Sequence, residues 1–126
     1  MKNTIELITV KAGTQFDRFG GTGGQFGSPY DNKGYSYNSR ALPYLQLKNK
    51  NGKTCGNVYK NQRNTMKDYH IYKVLQPIND VTQCTATPAF GKTGKAIQWK
   101  FQMSIKDMIN KEIIQEIPVA SLPPFI

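Results

Sequence analysis

The chain has 126 residues, of which 38% are hydrophobic and 20% are charged, and its formal net charge is +9. This length allows one domain with a single core and is too short for two. The composition argues against wholesale disorder, and no apolar run approaches the roughly 20 residues that span a bilayer, so no membrane insertion is expected.

Two short strands are predicted at the start of the chain, at residues 4–10 and 14–19. Six of the eleven glycines lie between Gly13 and Gly27, so the segment after Phe19 is predicted to be a flexible loop that closes at residues 26–29. The glycines do not form a Rossmann fingerprint, because no helix pattern follows them. An arginine and aromatic rings lie beside this loop in the sequence. This combination suggests a loop whose backbone closely approaches a phosphate-bearing ligand.

The rest of the chain predicts further strands, separated by polar turns. They are expected at residues 45–47, 54–59, 68–77, 81–86, 95–101 and 112–117. Alternation in the 95–101 segment puts Ile97, Trp99 and Phe101 on one face and Gln98 on the other. Ser104 and Asp107 have the spacing of a helix N-cap. The sequence therefore predicts a single α+β domain over residues 1–126, small and strand-dominated, with a central, mostly antiparallel sheet and one or two short helices.

The positive charge is unevenly placed. Between Lys48 and Lys67 there are six cations and no acid, which is typical of a solvated loop or of a docking surface for an acidic partner. Cys55 and Cys84 lack the spacing of a metal site, and they are expected to form one disulfide outside the cytosol or to remain thiols. No acidic cluster is present, so no metal is expected. The N-terminus is not expected to be a signal peptide, since Glu6 and the threonines interrupt its apolar stretch.

Several segments resemble the tuberculosis necrotizing toxin family of NAD⁺ glycohydrolase domains. They are DRFG at residues 17–20, GGQF at 23–26, Ser-Pro at 28–29, RALP at 40–43, YKVLQP at 72–77, PAFG at 88–91 and Gln-Trp at 98–99. The resemblance spans about residues 12 to 117. The chain departs from the family pattern at Tyr44, in the lysine-rich loop before Gln98, and in the 48–67 stretch, which looks like an insertion.

The resemblance implies hydrolysis of NAD⁺ or NADP⁺ to nicotinamide and ADP-ribose or its phosphate, with no cofactor besides the substrate. It also implies delivery into target cells as the C-terminal toxin domain of a larger secreted effector, with action in the target cytosol. A cognate immunity protein is implied as the partner, and an acidic one would complement this basic surface. No nucleic-acid partner is implied. The nicotinamide is cationic in the substrate and leaves neutral, so the shortage of paired carboxylates is no obstacle to this reaction.

The resemblance assigns catalytic roles to Gln98, Arg18 and His70. Gln98 matches the family's catalytic position, where its amide would orient the ribose hydroxyls or the attacking water; otherwise it is an exposed strand glutamine. Arg18 is the best candidate for the phosphates, because a guanidinium offers bidentate, permanently charged donors, and the alternative is an ion pair with Asp17. His70 lies in a region where the family has a functional histidine, and its alternative is an ordinary strand histidine.

The predicted substrate-binding residues are Phe19, Phe26, Gly20, Ser28 and Arg40. The two phenylalanines flank the glycine loop and are expected either to stack on adenine or nicotinamide or to pack in the core. Arg40 is a second phosphate candidate or a fold-stabilising arginine at the start of a strand.

Three other functions stay open at this point. An ADP-ribosyltransferase would bind the same substrate, but the chain has no Glu-x-Glu or Gln-x-Glu motif. A nucleic-acid-binding or nuclease toxin is motivated by the charge alone, and the single histidine gives it no acid–base pair. The third is an inactive binding module with the same fold.

Overall fold

The structure, a computed structural model, describes residues 6–36, 38–40, 69–88 and 93–120. In these residues seven strands form one sheet, β1 (Glu6–Val10), β2 (Gln15–Phe19), β3 (Phe26–Tyr30), β4 (Tyr69–Val74), β5 (Ile78–Thr85), β6 (Ile97–Lys100) and β7 (Ile114–Ile117). A 3₁₀ turn (Asn38–Arg40) and one short helix, α1 (Ile105–Asn110), complete the described elements.

The strands lie in the order β1-β5-β6-β3-β2-β4-β7, and every neighbouring pair is antiparallel. This confirms the predicted strand-dominated domain with an antiparallel sheet and little helix. β2 and β3 lie in the middle of the sheet, so the loop that joins them opens at one end of its central strands.

The main core covers one face of the sheet. The Phe16 ring is fully buried there, with its centroid 5.3 Å from that of Tyr72 and 4.8 Å from that of Phe101. The helix α1 packs against this cluster through Ile105 and Met108. Because side chains alternate along a strand, the neighbours of these core residues point to the opposite face, where most of the strand residues of the candidate site lie.

The predicted helix start is confirmed. Ser104 is the N-cap of α1, and its hydroxyl accepts a hydrogen bond from the backbone N–H of Asp107 at 3.1 Å. After the helix, Glu112 adopts a left-handed conformation with φ of 58°, so the last strand begins at Ile114 rather than at residue 112 as predicted. The predicted strands at 68–77 and 81–86 are found as β4 and β5, and β5 begins three residues earlier than predicted.

The strand β3 was not predicted, since its sequence FGSPY contains a glycine and a proline. Packing explains Gly27, because a Cβ there would lie 2.6 Å from the Phe16 ring. β3 pairs with β6 through Phe26 and Gly27. The pairing ends before Pro29, because proline has no N–H to donate to a neighbouring strand.

Some predictions fall on residues outside the described ranges. These are the strands at 45–47 and 54–59, the basic stretch from Lys48 to Lys67, and Cys55, so the disulfide is untested. Cys84, on β5, is half-buried and forms no disulfide with another described residue. In the described part of the chain, no helix is long and apolar enough to cross a membrane. Nor do three or more His, Cys, Asp or Glu side chains come together there as a metal site would require.

Candidate active site

A cavity of about 280 Å³ lies beside the loop between β2 and β3. Six of the eight predicted site residues line it: Arg18, Phe19, Phe26, Ser28, Arg40 and Gln98. The register explains this convergence for the other strand residues, whereas Arg18 projects from the same face as Phe16 and reaches the cavity beyond the last β2–β3 pair. Asp17 pairs with Ser28 across β2 and β3, Phe26 pairs with Lys100 across β3 and β6, and opposed residues project to the same face.

The Arg18 side chain lies at the end of the paired part of β2 and β3. The register of these strands ends at the pair Asp17–Ser28, and beyond it Arg18 Nη1 donates a hydrogen bond to the Phe26 carbonyl at 2.7 Å. The guanidinium thus occupies the space where the two strands diverge, at the wall of the cavity.

The glycine loop wraps this guanidinium. A Cβ on Gly20 would lie 2.7 Å from Arg18 Nη2, and one on Gly24 would lie 2.5 to 2.9 Å from three guanidinium atoms. Gly20 also has φ of 131°, a conformation that side chains disfavour. The predicted close approach of this backbone is therefore made to Arg18, and the arginine in turn faces the cavity.

Arg18 has no carboxylate partner among the described residues, and its buried Nε lacks a hydrogen-bond acceptor there. Burial lowers the pKa of the guanidinium, because desolvation penalises the charged form, while Tyr72 acts in the opposite direction. An arginine stays protonated in proteins even so. A half-buried, unpaired cation beside a cavity is a favourable place for an anion.

The Arg18–Asp17 ion pair offered as an alternative does not form, because Asp17 pairs with Arg40 instead. Arg40 Nη1 and Nη2 lie 2.7 and 2.9 Å from the two carboxylate oxygens, and both side chains are buried, at 3% and 0% exposure. Tyr69 donates its hydroxyl to the same carboxylate. Burial, together with the neighbouring Asp17 charge, raises the pKa of Tyr69.

The rest of the Arg40 guanidinium binds the backbone. Nε and Nη2 donate to the Tyr35 carbonyl at 3.0 and 2.8 Å, and the Phe19 ring lies 5.1 Å below the guanidinium carbon. This arrangement favours the fold-stabilising role of Arg40 over phosphate binding, although Arg40 does border the cavity.

Gln98 lies half-buried on β6, on the opposite side of the strand from Trp99, as alternation predicts. Its Nε2 donates a 3.5 Å hydrogen bond to the Arg40 carbonyl. No donor in the described part of the chain binds its Oε1, and Gln98 lines the cavity.

The two phenylalanines differ in environment. Phe19 is 6% exposed, and its ring centroid lies 4.9 Å from that of Tyr69, so it packs in a small cluster while forming part of the cavity wall. Phe26 is 46% exposed, and its ring is accessible at the mouth of the cavity. Exposure therefore favours Phe26 as the ring that stacks on a ligand.

His70 is the predicted catalytic residue that the structure does not bring to the cavity. Its Nδ1 lies 2.8 Å from Glu116 Oε2 on β7, and its ring stacks 6.1 Å from that of Tyr72. His70 pairs with Arg18 across β2 and β4, yet it does not line the cavity. This geometry favours the ordinary strand histidine.

Two residues at the site were not singled out from the sequence. Asp17 is fully buried and anchors Arg40, and Lys100 lies over the Phe26 ring, with 6.0 Å from Nζ to the ring centroid. Strand alternation could have indicated both residues. It puts Asp17 on the other face of β2 from the core residue Phe16, and it puts Lys100 on the same face of β6 as Gln98.

Comparisons with known proteins agree on one family. The family described as tuberculosis necrotizing toxin matches residues 9–117. A solved structure of tuberculosis necrotizing toxin complexed with its immunity factor has a similar fold, with a TM-score of 0.55 and 19% sequence identity. The match covers 86% of this chain and 54% of that chain, so this chain spans about half the length of its structural relative. No curated protein sequence matches.

Proposed function

Since the chain belongs to the tuberculosis necrotizing toxin family, we propose that it is a toxin domain that hydrolyses the nicotinamide–ribose bond of NAD⁺ or NADP⁺. One observation carries the proposal: Arg18 and Gln98 line the same cavity, and among the described residues the guanidinium has no carboxylate partner and the amide oxygen has no donor. A dinucleotide carries groups that suit both, a diphosphate and a ribose with two hydroxyls.

Arg18 binds the diphosphate in this proposal. Its guanidinium is held by the Phe26 carbonyl and by the glycine loop, so it is oriented before the substrate arrives. A charge-assisted hydrogen bond to phosphate is roughly twice as strong as a neutral one, and partial burial strengthens it further. The diphosphate thereby fixes the position of the nicotinamide ribose inside the cavity.

Gln98 acts at the ribose. Its Oε1 accepts a hydrogen bond from a ribose hydroxyl or from the attacking water, while its Nε2 stays on the Arg40 carbonyl. The bond between C1 of the ribose and the nicotinamide nitrogen breaks heterolytically. Nicotinamide takes the bonding electrons and leaves as a neutral molecule. Positive charge develops on the ribose, water adds at C1, and the water's second proton passes to solvent. No general acid is required, and the dinucleotide and water are the only reactants.

The biological setting follows from the family. We infer delivery of the domain into target cells, where hydrolysis depletes NAD⁺, and protection of the producer by a cognate immunity protein. A relative solved in complex with its immunity factor supports the second inference. The net charge of +9 suits an acidic partner of this kind.

The test is release of nicotinamide by the purified domain, compared with Gln98→Ala and Arg18→Gln. Loss of one positioned hydrogen-bonding group typically costs a factor of roughly 10² or more, so both variants should be slower by at least that factor. Lys11→Gln, an exposed residue in the turn after β1, is the matched surface control. Full activity in both site variants, with folding verified by circular dichroism, would contradict the site.

A further inference from the structure

A second basic feature lies at the mouth of the cavity and has no role in bond cleavage. Lys100 on β6 pairs in register with Phe26 on β3, and its Nζ lies 6.0 Å from the centroid of the Phe26 ring. Lys100 is exposed and has no ion-pair partner in the described part of the chain. Phe26 therefore lies between two cations that have no ion pair among the described residues, with Arg18 bound to its carbonyl and Lys100 above its ring.

The size of the cavity determines how much of a dinucleotide it can hold. Pockets that bury a drug-sized ligand measure about 300–1,000 Å³, and this cavity measures about 280 Å³. With Gln98 at the nicotinamide ribose and Arg18 at the diphosphate, the adenosine half extends beyond the cavity. The exposed Phe26 ring is the surface available to it, and aromatic rings stack on bases of any kind.

The two possible substrates differ only in this outer half. NADP⁺ carries a phosphate on the 2′-oxygen of the adenosine ribose, one ribose ring away from the diphosphate, and NAD⁺ carries a hydroxyl there. A lysine is a compact charge on a flexible stem and binds phosphate well. Because Lys100 Nζ lies 6.0 Å from the centroid of the Phe26 ring, this lysine is an available cation beside an adenosine that stacks on that ring.

The acidic residues of the site are also compatible with a bound 2′-phosphate. In Rossmann domains, a different fold, NAD⁺ is recognised by a carboxylate that binds the ribose 2′-hydroxyl, and a carboxylate at that position would repel a 2′-phosphate. Among the described residues that line this cavity, the acid is Asp17, and Arg40 binds both of its oxygens. No available carboxylate of the described wall therefore opposes a 2′-phosphate.

We propose that Lys100, with Phe26, forms a subsite for the adenosine 2′-phosphate, so that the domain prefers NADP⁺ over NAD⁺. This specificity assignment rests on the proposed function.

The test compares kcat/KM for NADP⁺ and NAD⁺ at low ionic strength in the wild type, Lys100→Gln and Lys100→Arg. The wild-type ratio should exceed one, and Lys100→Gln should lower it roughly two- to fivefold, as expected for an exposed charge pair. Lys100→Arg should keep most of the preference, and Lys11→Gln should keep all of it. A wild-type ratio of one or less, or an equal ratio in Lys100→Gln, would overturn the proposal.

A binding measurement separates this proposal from the reaction itself. By calorimetry, adenosine 2′,5′-bisphosphate should bind the wild type more tightly than adenosine 5′-monophosphate does, and the difference should shrink in Lys100→Gln and with added salt. If neither dinucleotide is hydrolysed but this difference is found, the subsite is right and the proposed reaction is wrong. If both dinucleotides are hydrolysed and the two nucleotides bind equally, the subsite is wrong and the reaction stands.

Discussion

Arg40 binds both carboxylate oxygens of Asp17, and this buried pair fixes the backbone that contacts Gln98. The ion pair joins the 3₁₀ turn to β2, at distances of 2.7 and 2.9 Å. From the same turn, the Arg40 carbonyl accepts a hydrogen bond from Gln98, and the Ser39 carbonyl accepts one from the N–H of Ala96 at 2.9 Å. A charge pair that contributes to the fold thus also positions the amide proposed to act on the ribose.

Breaking this pair should destabilise the domain strongly. Asp17→Asn keeps the shape but leaves the Arg40 charge buried and uncompensated, which lowers the free energy of unfolding by about 3–5 kcal/mol. Urea unfolding at neutral pH measures the change. Asp31→Asn, at an exposed position with no ion pair among the described residues, is the control and should change it by less than about 0.5 kcal/mol. A loss below about 1 kcal/mol in Asp17→Asn would show that the pair contributes little.

A single methyl group on the glycine loop should displace Arg18. A Cβ at Gly24 would lie 2.5 to 2.9 Å from the guanidinium, so Gly24→Ala should reduce nicotinamide release, by roughly 10²-fold if the charge moves by about 1 Å. Gly23→Ala is a close control, because no atom lies within 4 Å of its added Cβ. Equal activity in the two variants would show that the loop does not hold Arg18 for catalysis.

His70 should be dispensable for the reaction. It is bound to Glu116 and lies outside the cavity wall, so His70→Asn is expected to change kcat/KM by less than about threefold. The measurement is the rate of nicotinamide release over a range of NAD⁺ concentrations. A loss of 10²-fold or more, in a variant that remains folded, would restore the catalytic role that the family resemblance implied.

Tyr72 makes the stability of the domain sensitive to high pH. Its hydroxyl is buried without a hydrogen-bond partner in the described structure, and burial, followed by repulsion from Glu116, raises its pKa to about 12 from 10.0. The pKa is higher in the folded state, so this stabilising contribution is complete below pH 10.0 and is lost as the pH rises through about 12. Tyr69 acts in the same direction.

Tyr72→Phe removes that hydroxyl and its titration. At pH 7 the free energy of unfolding should stay the same or rise by about 1 kcal/mol, because an unsatisfied buried donor is removed. Between pH 10 and pH 11 the variant should lose less stability than the wild type. Urea unfolding at the two ends of this range measures both effects. A loss of more than about 1 kcal/mol at pH 7 would mean that the hydroxyl has a partner.

Local patterns predicted the parts of the fold that depend on near neighbours. The Ser104 cap and the alternation around Trp99 are set by residues within a few positions, and both were found where predicted. β3 could not be predicted in this way, because its Gly27 is required by the Phe16 ring on another strand.

Long-range pairing explains the differences at the site. Asp17 and Arg18 are adjacent, which suggests an ion pair, but adjacent strand residues project to opposite faces, so Asp17 meets Arg40, 23 positions away. His70 could not be placed from the sequence, since its distance from the cavity depends on which strands pair. The position of Gln98 opposite Trp99 was predictable, whereas its hydrogen bond to the Arg40 carbonyl required the structure.

The central claim is hydrolysis of the nicotinamide–ribose bond, and a product balance tests it most directly. The purified wild-type domain is incubated with NAD⁺ and separately with NADP⁺, and nicotinamide and free ADP-ribose or its phosphate are quantified by chromatography. We expect equal amounts of the two products, with release reduced at least roughly 10²-fold in Gln98→Ala. Nicotinamide without a matching amount of free ADP-ribose would indicate transfer to an acceptor, and the absence of nicotinamide from both reactions would contradict the proposed function.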